Sequence, residues 1–216
     1  LFDGGCRVRL IANYGVGVDH IDLDTCRAAG IMVSNTPGVL TEATAELALT
    51  LMLMAARRAG EGERELRAGR WSGWRPTHLL GSGLSGRTLG LVGFGRIGQG
   101  VARAAVPFGM RVLACAAHPR TSSGIEGVEM SDFGTILESA DVLTLHCPLT
   151  AENRELIDRD TLARMKPGAF LINTARGGLI CERDVAEALQ SGRLAGFAAD
   201  VLSQEPPKDG SPLFSA

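Results

Sequence analysis

Three glycines follow an apolar run near the middle of the chain, in a pattern suited to binding a phosphate group. Gly93, Gly95 and Gly98 stand in G-x-G-x-x-G spacing after the strand-like stretch Thr88–Val92. Such spacing permits a tight turn, lets backbone N–H groups approach a pyrophosphate, and lets the following helix pack closely on the strand. The helix N-terminus adds partial positive charge. The stretch therefore predicts a dinucleotide site, and a purely structural glycine turn is the alternative.

The position that selects between NAD(H) and NADP(H) is basic in this chain. In NAD-binding proteins a carboxylate about twenty residues beyond the first glycine bonds the ribose hydroxyls, and the stretch VLACAAHPR at 112–120 contains none. Arg120, with His118 beside it, could instead pair with the 2′-phosphate of NADP(H). We expect NADP(H) to be favoured over NAD(H). The alternative is that Arg120 lies on a solvated loop and that coenzyme choice is relaxed.

The elements around the glycines alternate between strands and helices. Strand patterns separated by helical patterns predict an α/β fold with a doubly wound, Rossmann-like parallel sheet. Ligands of such sheets bind beyond the carboxyl ends of the strands. We therefore expect the chemistry in the loops GFGRIG, AAHPR, HCPLT, NTARGG and DVLSQEP. The predicted strands are 88–92, 111–114, 142–146, 169–173 and 196–199, and the clearest helices are 97–106 and 182–191.

The chain before residue 70 shows the same alternation without a nucleotide motif. The irregular arm WSGWRPTHLLGSGLSG interrupts all periodicity after it. We predict part of a substrate domain with an interdomain helix over 1–69, and a dinucleotide-binding domain over 70–216. The predicted elements of the first part are a strand at 8–12, a helix at 23–29, a strand at 31–34 and one long helical pattern at 41–69.

Composition favours a globular cytoplasmic protein. The chain has 216 residues, 45% hydrophobic and 21% charged, with a formal net charge of −2, which argues against disorder and against a general nucleic-acid-binding surface. The longest apolar stretch, 47–56, is too short to cross a membrane, and no secretion signal is recognised. Five scattered cysteines without C-x-x-C spacing indicate reduced thiols rather than disulfides or a metal site.

Seven stretches in order along the chain resemble the D-isomer-specific 2-hydroxyacid dehydrogenase family, and especially its glyoxylate and hydroxypyruvate reductase branch. The resemblance implies hydride transfer between NAD(P)H and C2 of a small 2-oxo or 2-hydroxy acid. It also implies that residues 1–69 are part of a flavodoxin-like substrate domain. The matching stretches are NYGVGVDHIDL, NTPGVLTEATAELAL, WSGWRP, TLGLVGFGRIG, HCPLT, MKPGAFLINTARGGLI and AADVLSQEP.

The resemblance assigns substrate contacts to three residues. Arg176, in NTARGG, matches the family's substrate arginine, and a guanidinium offers a two-pronged donor suited to a carboxylate and its neighbouring carbonyl. Val16 and Gly17, in NYGVGVD, match the loop whose backbone N–H groups hold the acid's carboxylate. The alternatives are an ordinary surface arginine and an ordinary turn.

Two acidic residues in DVLSQEP match further positions of the family. The family uses the carboxylate at Glu205 to keep a histidine protonated, so that the imidazolium can donate a proton to the developing alkoxide. Asp200 matches the residue that bonds the nicotinamide carboxamide; an exposed loop glutamate and a turn cap are the alternatives. The other coenzyme positions implied are Gly93, Gly95, Arg96, Ile97 and Gly98 in the glycine loop, His146, Cys147 and Pro148 on the adenine side with Thr150 nearby, and Thr174 and Ala175 beside the nicotinamide.

The family's proton-donating histidine lies downstream of the glutamate, and none of the four histidines in this sequence matches that position. His20 and His78 are expected to be structural. The chain thus resembles a family protein shortened at both ends. The main hypothesis is a 2-oxoacid reductase or its core. The alternative is a non-catalytic dinucleotide-binding or interaction protein, while an enzyme of different chemistry lacks a nucleophile or metal cluster to support it.

The arm and the helical pattern before it suggest self-association. The family associates through this region, and two tryptophans, Trp71 and Trp74, lie on an irregular segment where large aromatic side chains favour burial. We therefore expect a homodimer. Burial of both tryptophans within one monomer is the alternative.

Overall fold

The computed structural model describes residues 7–118, 120–207 and 210–216. The chain forms two compact units, one ending at Glu42 and the other beginning at Ala43. The first unit contains strands β1 (Leu10–Ala12) and β2 (Met32–Ser34), paired in parallel, and helix α1 (Leu23–Ala28). Asp22 caps α1, because its side chain accepts a hydrogen bond from Thr25 N.

The second unit is built on a six-stranded sheet in which all pairs are parallel. The strand order is β5-β4-β3-β6-β7-β8, so the chain runs outward from β3 in one direction and then crosses over to run outward in the other. This reversal is the topological switch point of a Rossmann-like fold, and the predicted fold class is confirmed. The strands are β3 (Thr88–Val92), β4 (Arg111–Cys115), β5 (Val128–Met130), β6 (Val142–Leu145), β7 (Ala169–Asn173) and β8 (Leu194–Ala199).

Helices cover both faces of this sheet, and apolar side chains fill the space on each side. One core includes Met52, Phe94 and Val101, and the other includes Ile136 and Val185. Every residue of β3, β6 and β7 is buried, as expected for central parallel strands covered on both faces. The helices are α2 (Thr41–Ala56), α3 (Ala59–Arg67), α4 (Arg96–Ala105), α5 (Phe133–Ser139), α6 (Arg159–Arg164) and α7 (Glu182–Gln190), with short 3₁₀ turns at Val106–Phe108, Gly177–Leu179 and Pro212–Ser215.

The single long helix predicted over 41–69 is two helices, α2 and α3. The break occurs at Arg58, which has a left-handed conformation with φ of 55°. The arm that follows the helices causes it: Ser82 N donates to the Ala56 carbonyl at 2.7 Å, and a β-carbon on Gly81 would lie 2.5 Å from the same oxygen. The arm thus takes the carbonyl that would accept the next bond of a continuous helix.

The chain contains further elements that the sequence patterns did not predict. Strand β5 and helices α5 and α6 are only three to seven residues long, which is too short for a clear hydrophobic period. The compact units divide within the first turn of α2, between Glu42 and Ala43, whereas the predicted domain boundary follows residue 69, because the rest of α2 packs in the core of the second unit. The assignment of 1–69 and 70–216 to two functional domains stays a prediction.

Candidate functional site

The three glycines after β3 differ sharply in the space around them. Gly93 has φ of 101°, and a β-carbon on it would lie 2.6 Å from Cys147 N. A β-carbon on Gly98 would lie 2.2 Å from the Gly93 carbonyl oxygen, whereas one on Gly95 would have no atom within 4 Å. Gly93 and Gly98 are therefore required by close packing, and Gly95 faces open space at the end of the strand.

Helix α4 begins directly beneath this open space. Gly95 is its N-cap, no side chain caps it, and its first turn carries no acidic residue. The first N–H groups of a helix lack partners within the helix, so those of Arg96, Ile97 and Gly98 are available as donors to an anion, supported by the helix dipole. Arg96 is exposed and Ile97 half-buried. We call the open space over Gly95, together with the N–H groups of Arg96, Ile97 and Gly98 below it, the cradle. The cradle fits the diphosphate of a dinucleotide.

The loop after β6 passes against the glycine turn. His146 and Cys147 supply the backbone atoms that crowd Gly93, and His146 N donates to the Val92 carbonyl. Burial lowers the pKa of His146 to about 4 and raises the pKa of Cys147 to about 11. At neutral pH this part of the site therefore contains a neutral imidazole and a neutral thiol.

Asn153 shapes the rest of that loop, and the sequence patterns did not single it out. Its Oδ1 accepts from Thr150 N at 2.7 Å, and its Nδ2 donates to the Pro148 carbonyl at 2.7 Å. Pro148 and Thr150 are exposed. An asparagine five residues after a loop proline carries no recognisable local signal, so only the fold shows that it holds these two predicted coenzyme residues in place.

The loop after β4 carries the two basic residues predicted to select the coenzyme. His118 and Arg120 are both exposed. The sequence from 116 to 120 contains no aspartate or glutamate. Cys115 ends β4, and its carbonyl accepts a hydrogen bond from Gly93 N at 3.0 Å. The loop therefore starts at the glycine turn.

The loop after β7 contains Arg176 and is held by a buried asparagine. Asn173 is fully buried; its Oδ1 accepts from Ala175 N at 3.0 Å and its Nδ2 donates to the Arg176 carbonyl at 2.9 Å. The Arg176 guanidinium donates to the Ala175 carbonyl at 2.7 Å. Thr174 is buried, and within the described part of the chain its hydroxyl has no hydrogen-bond partner. Asn173 thus fixes the backbone conformation of the predicted nicotinamide and substrate residues.

Gly177 brings the segment after β8 against this loop. A β-carbon on Gly177 would lie 1.9 Å from the Leu202 carbonyl carbon, so the two backbones touch. Glu205 is exposed, and its Oε1 accepts from Leu202 N at 2.8 Å. Partial loss of water raises the pKa of the Asp200 carboxyl, and the Glu205 carboxylate raises it further. The structure therefore groups Arg176, Asp200 and Glu205 in adjoining loops.

The loop with Val16 and Gly17 belongs to the first unit. Asn13 Nδ2 donates to the Gly17 carbonyl at 2.9 Å, and Asn35 Nδ2 donates to the Val16 carbonyl at 2.9 Å. Two side-chain amides thus hold the backbone carbonyls of this loop in place.

The two histidines expected to be structural lie in the first unit and in the arm. His20 is exposed in the first unit. His78 is half-buried in the arm, with Nε2 3.0 Å from Glu65 Oε2 and Nδ1 2.8 Å from a guanidinium nitrogen of Arg75. His78 therefore joins the arm to α3.

Comparison with known proteins identifies the lineage of this site. Residues 49–216 match the pattern of the D-isomer specific 2-hydroxyacid dehydrogenase family, NAD binding domain. The chain belongs to this family. The family's NAD-binding domain thus includes the glycine turn, the cradle over Gly95 and the Arg176 loop, and its coenzyme is a nicotinamide dinucleotide.

Individual relatives of this family member include two curated reductases and a solved structure. Glyoxylate reductase of Thermococcus litoralis is 44% identical over 95% of this chain and 64% of its own length. Hydroxypyruvate reductase of Thermotoga maritima is 40% identical over 97% of this chain and 67% of its own length. A crystal structure of a Thermus thermophilus protein is 49% identical with a TM-score of 0.89, covering 96% of this chain and 65% of that one. The chain thus spans about two thirds of the length of these relatives.

Metal-binding clusters and membrane-spanning helices are both absent from the described part of the chain. No group of three or more histidine, cysteine or acidic side chains capable of holding a metal ion occurs among residues 7–118, 120–207 and 210–216. Within the same residues, no helix is long and apolar enough to cross a membrane.

Proposed function

We propose that the protein is an NAD(P)-dependent reductase of small 2-oxo acids such as glyoxylate or hydroxypyruvate. The observation that carries the proposal is the open cradle over Gly95 at the switch point of the sheet, with the Arg176 loop two strands away on the same carboxyl edge. The names of the curated relatives support the same reaction. Dinucleotides lie across the carboxyl ends of such sheets, which directs the reactive ring of the coenzyme towards the loops after β7 and β8.

Each candidate residue has a role that its chemistry allows. The bound coenzyme supplies the hydride. Arg176 binds the carboxylate and polarises the neighbouring carbonyl of the acid. In the first unit, the loop with Val16 and Gly17 is suited by its backbone N–H groups to a carboxylate. Asp200 orients the nicotinamide carboxamide, and Glu205 supports the acid that protonates the new hydroxyl.

The coenzyme is NADP(H) in preference to NAD(H). The support is the exposed pair His118 and Arg120, in the stretch 112–120 that contains no carboxylate, because a guanidinium pairs with a 2′-phosphate and a carboxylate would repel it. The adenine half lies against His146, Cys147 and Pro148, where neutral side chains suit an uncharged base.

The protein acts as a homodimer in the cytoplasm. Trp71 and Trp74 are 53% and 82% exposed in the single chain, which contradicts their burial within one monomer. Leu47 and Met54 on α2 are also exposed, so this region offers apolar surface to a second copy. The four described cysteines are free thiols, which is typical of a reducing compartment.

The test is a coenzyme titration followed by turnover. The purified chain is titrated with NADPH and NADH by fluorescence, and oxidation of each is then followed with glyoxylate and with hydroxypyruvate. We expect binding of both coenzymes, tighter binding of NADPH, and turnover that Arg176→Ala lowers by about 10²- to 10³-fold while leaving coenzyme affinity within about twofold, since the guanidinium contacts the acid. A folded chain that binds neither coenzyme would overturn the proposal.

A further inference from the structure

Two buried polar atoms without a partner among the described residues belong to neighbouring strands at the carboxyl edge. They are Nδ1 of His146, which follows β6, and Oγ1 of Thr174, which follows β7. The two strands are parallel, and Leu145 is aligned with Asn173. His146 and Thr174 are the next residues along each strand and therefore come side by side.

Both side chains also lie on the same face of the sheet. Val142 and Ile172 belong to the core on the α4 side, and side chains two or four residues further along a strand share that face. The His146 β-carbon accordingly lies 3.8 Å from the position of a β-carbon on Gly98 in α4. The imidazole is thus packed between the first turn of α4 and the end of β7.

The other ring nitrogen of His146 is already occupied. Nε2 lies 2.9 Å from Thr144 Oγ1, and Thr144 is itself buried. A neutral imidazole has one donor and one acceptor nitrogen, so Nδ1 needs one complementary partner in either tautomer. A hydroxyl can both donate and accept, and the Thr174 hydroxyl is the buried group beside it that lacks a partner.

We propose that His146 is a positioning residue that links the glycine turn to the Thr174–Arg176 loop through one bound water between its Nδ1 and the Thr174 hydroxyl. The link runs from Thr144 through the imidazole of His146 to Thr174. The backbone of the same histidine packs against Gly93 in the glycine turn. This inference rests on the proposed function: in the reductase, the link fixes the site of the diphosphate relative to the site of the nicotinamide.

The link itself is tested by ¹⁵N NMR of the four histidines, without coenzyme. We expect a neutral His146 ring that does not titrate between about pH 5 and 8, where an unperturbed histidine changes charge. Thr174→Val should shift its Nδ1 resonance, and Thr174→Ser should not. Thr88→Val is the matched control, because Thr88 is buried at the opposite edge of the same sheet. An Nδ1 resonance that Thr174→Val leaves unchanged would overturn the link. A water-to-imidazole NOE is expected for the bridging water, and its absence would also overturn the link.

The effect on the coenzyme is tested by a double-mutant cycle on the dissociation constants of NADPH and NADH. His146→Phe and Thr174→Val should each weaken binding about fivefold, the value of one hydrogen bond. The double variant should be no weaker than the weaker single variant, because both substitutions break one link. Effects that multiply to about 25-fold would refute a shared link. Thermal unfolding establishes that each variant is folded. A chain that binds no coenzyme refutes the proposed function and leaves the NMR test intact.

Discussion

At the amino edge of the six-stranded sheet, charged groups are paired with one another. Asp141 accepts a hydrogen bond from Thr88 N at 2.8 Å and one from Lys166 Nζ at 3.2 Å, and a guanidinium nitrogen of Arg87 lies 3.7 Å from its carboxylate. Two cations and one backbone donor thus surround a single carboxylate, and the group needs no ligand.

At the carboxyl edge, polar groups are arranged differently. The first N–H groups of α4 have no capping side chain, and the described residues offer no partner to His146 Nδ1 or Thr174 Oγ1. Since buried polar groups are normally hydrogen-bonded, this difference indicates that the amino edge stabilises the sheet and that the carboxyl edge is suited to binding. Substitutions at the amino edge should therefore affect the free energy of unfolding, and substitutions at the carboxyl edge should affect binding and turnover.

The largest effect is expected from removing the guanidinium at the carboxyl edge. Arg176→Ala should lower kcat/KM for glyoxylate and hydroxypyruvate by about 10²- to 10³-fold, the range for losing one partner of a close charge pair. Steady-state kinetics measure it. Arg87→Ala, at the amino edge, is the control and should stay within about twofold of the starting value. Equal losses for the two arginines would remove the distinction between the edges.

A large effect on stability is expected from Gly98→Ala. The added methyl group would meet the Gly93 carbonyl oxygen at 2.2 Å, which cannot be relieved by rotating a side chain. We expect the free energy of unfolding to fall by roughly 2–3 kcal/mol, as for other overpacked positions, measured by denaturant unfolding. Unchanged stability would show that α4 does not pack against the glycine turn as described.

A smaller effect concerns coenzyme selection. Arg120→Glu should reverse the preference by lowering kcat/KM with NADPH about tenfold relative to NADH, because a carboxylate repels the 2′-phosphate. Arg111→Ala is the matched control: Arg111 begins β4 at the amino edge and pairs with Glu129 at 2.9 Å. If both substitutions leave the NADPH to NADH ratio unchanged, the β4 loop does not select the coenzyme.

The smallest effect is expected at the amino edge itself. Asp141→Asn keeps an oxygen to accept from Thr88 N but removes the charge that pairs with Lys166 and Arg87. The pairs are partly exposed, with 39% and 41% of the two cationic side chains accessible, so the loss of unfolding free energy should stay below about 1 kcal/mol. Coenzyme affinity, measured by fluorescence titration, should not change. A weaker affinity would contradict a purely stabilising role for this edge.

The parts of the fold that the sequence predicted are those with a local signal. The bounds of β3 and β7 agree with the apolar runs, because central strands are hydrophobic along their whole length. The glycine spacing predicted the turn at Gly93 and the open position at Gly95. Short stretches of neighbouring residues determine these strands and this turn, so the local sequence was sufficient to predict them.

Features that depend on distant contacts were missed. The break at Arg58 arises because Ser82 takes the Ala56 carbonyl, and Gly177 is required by Leu202. The side chain of Asn173 forms hydrogen bonds with the backbone of Ala175 and Arg176 in the loop that follows it. No period or spacing encodes such contacts, and only the folded chain shows them. The roles of Arg176, Glu205, Val16 and Gly17 rest on the family resemblance and stay predictions.

The central claim, that the diphosphate of a dinucleotide lies over Gly95, is tested most directly by titrating the original chain and Gly95→Ala with NADPH and NADH. Gly95 has φ of −80° and open space around the β-carbon position, so alanine should leave the unfolding midpoint unchanged. We expect the dissociation constants to rise by about tenfold or more, because the methyl group occupies the space of the diphosphate. Equal affinity for the original chain and the variant would contradict the claim.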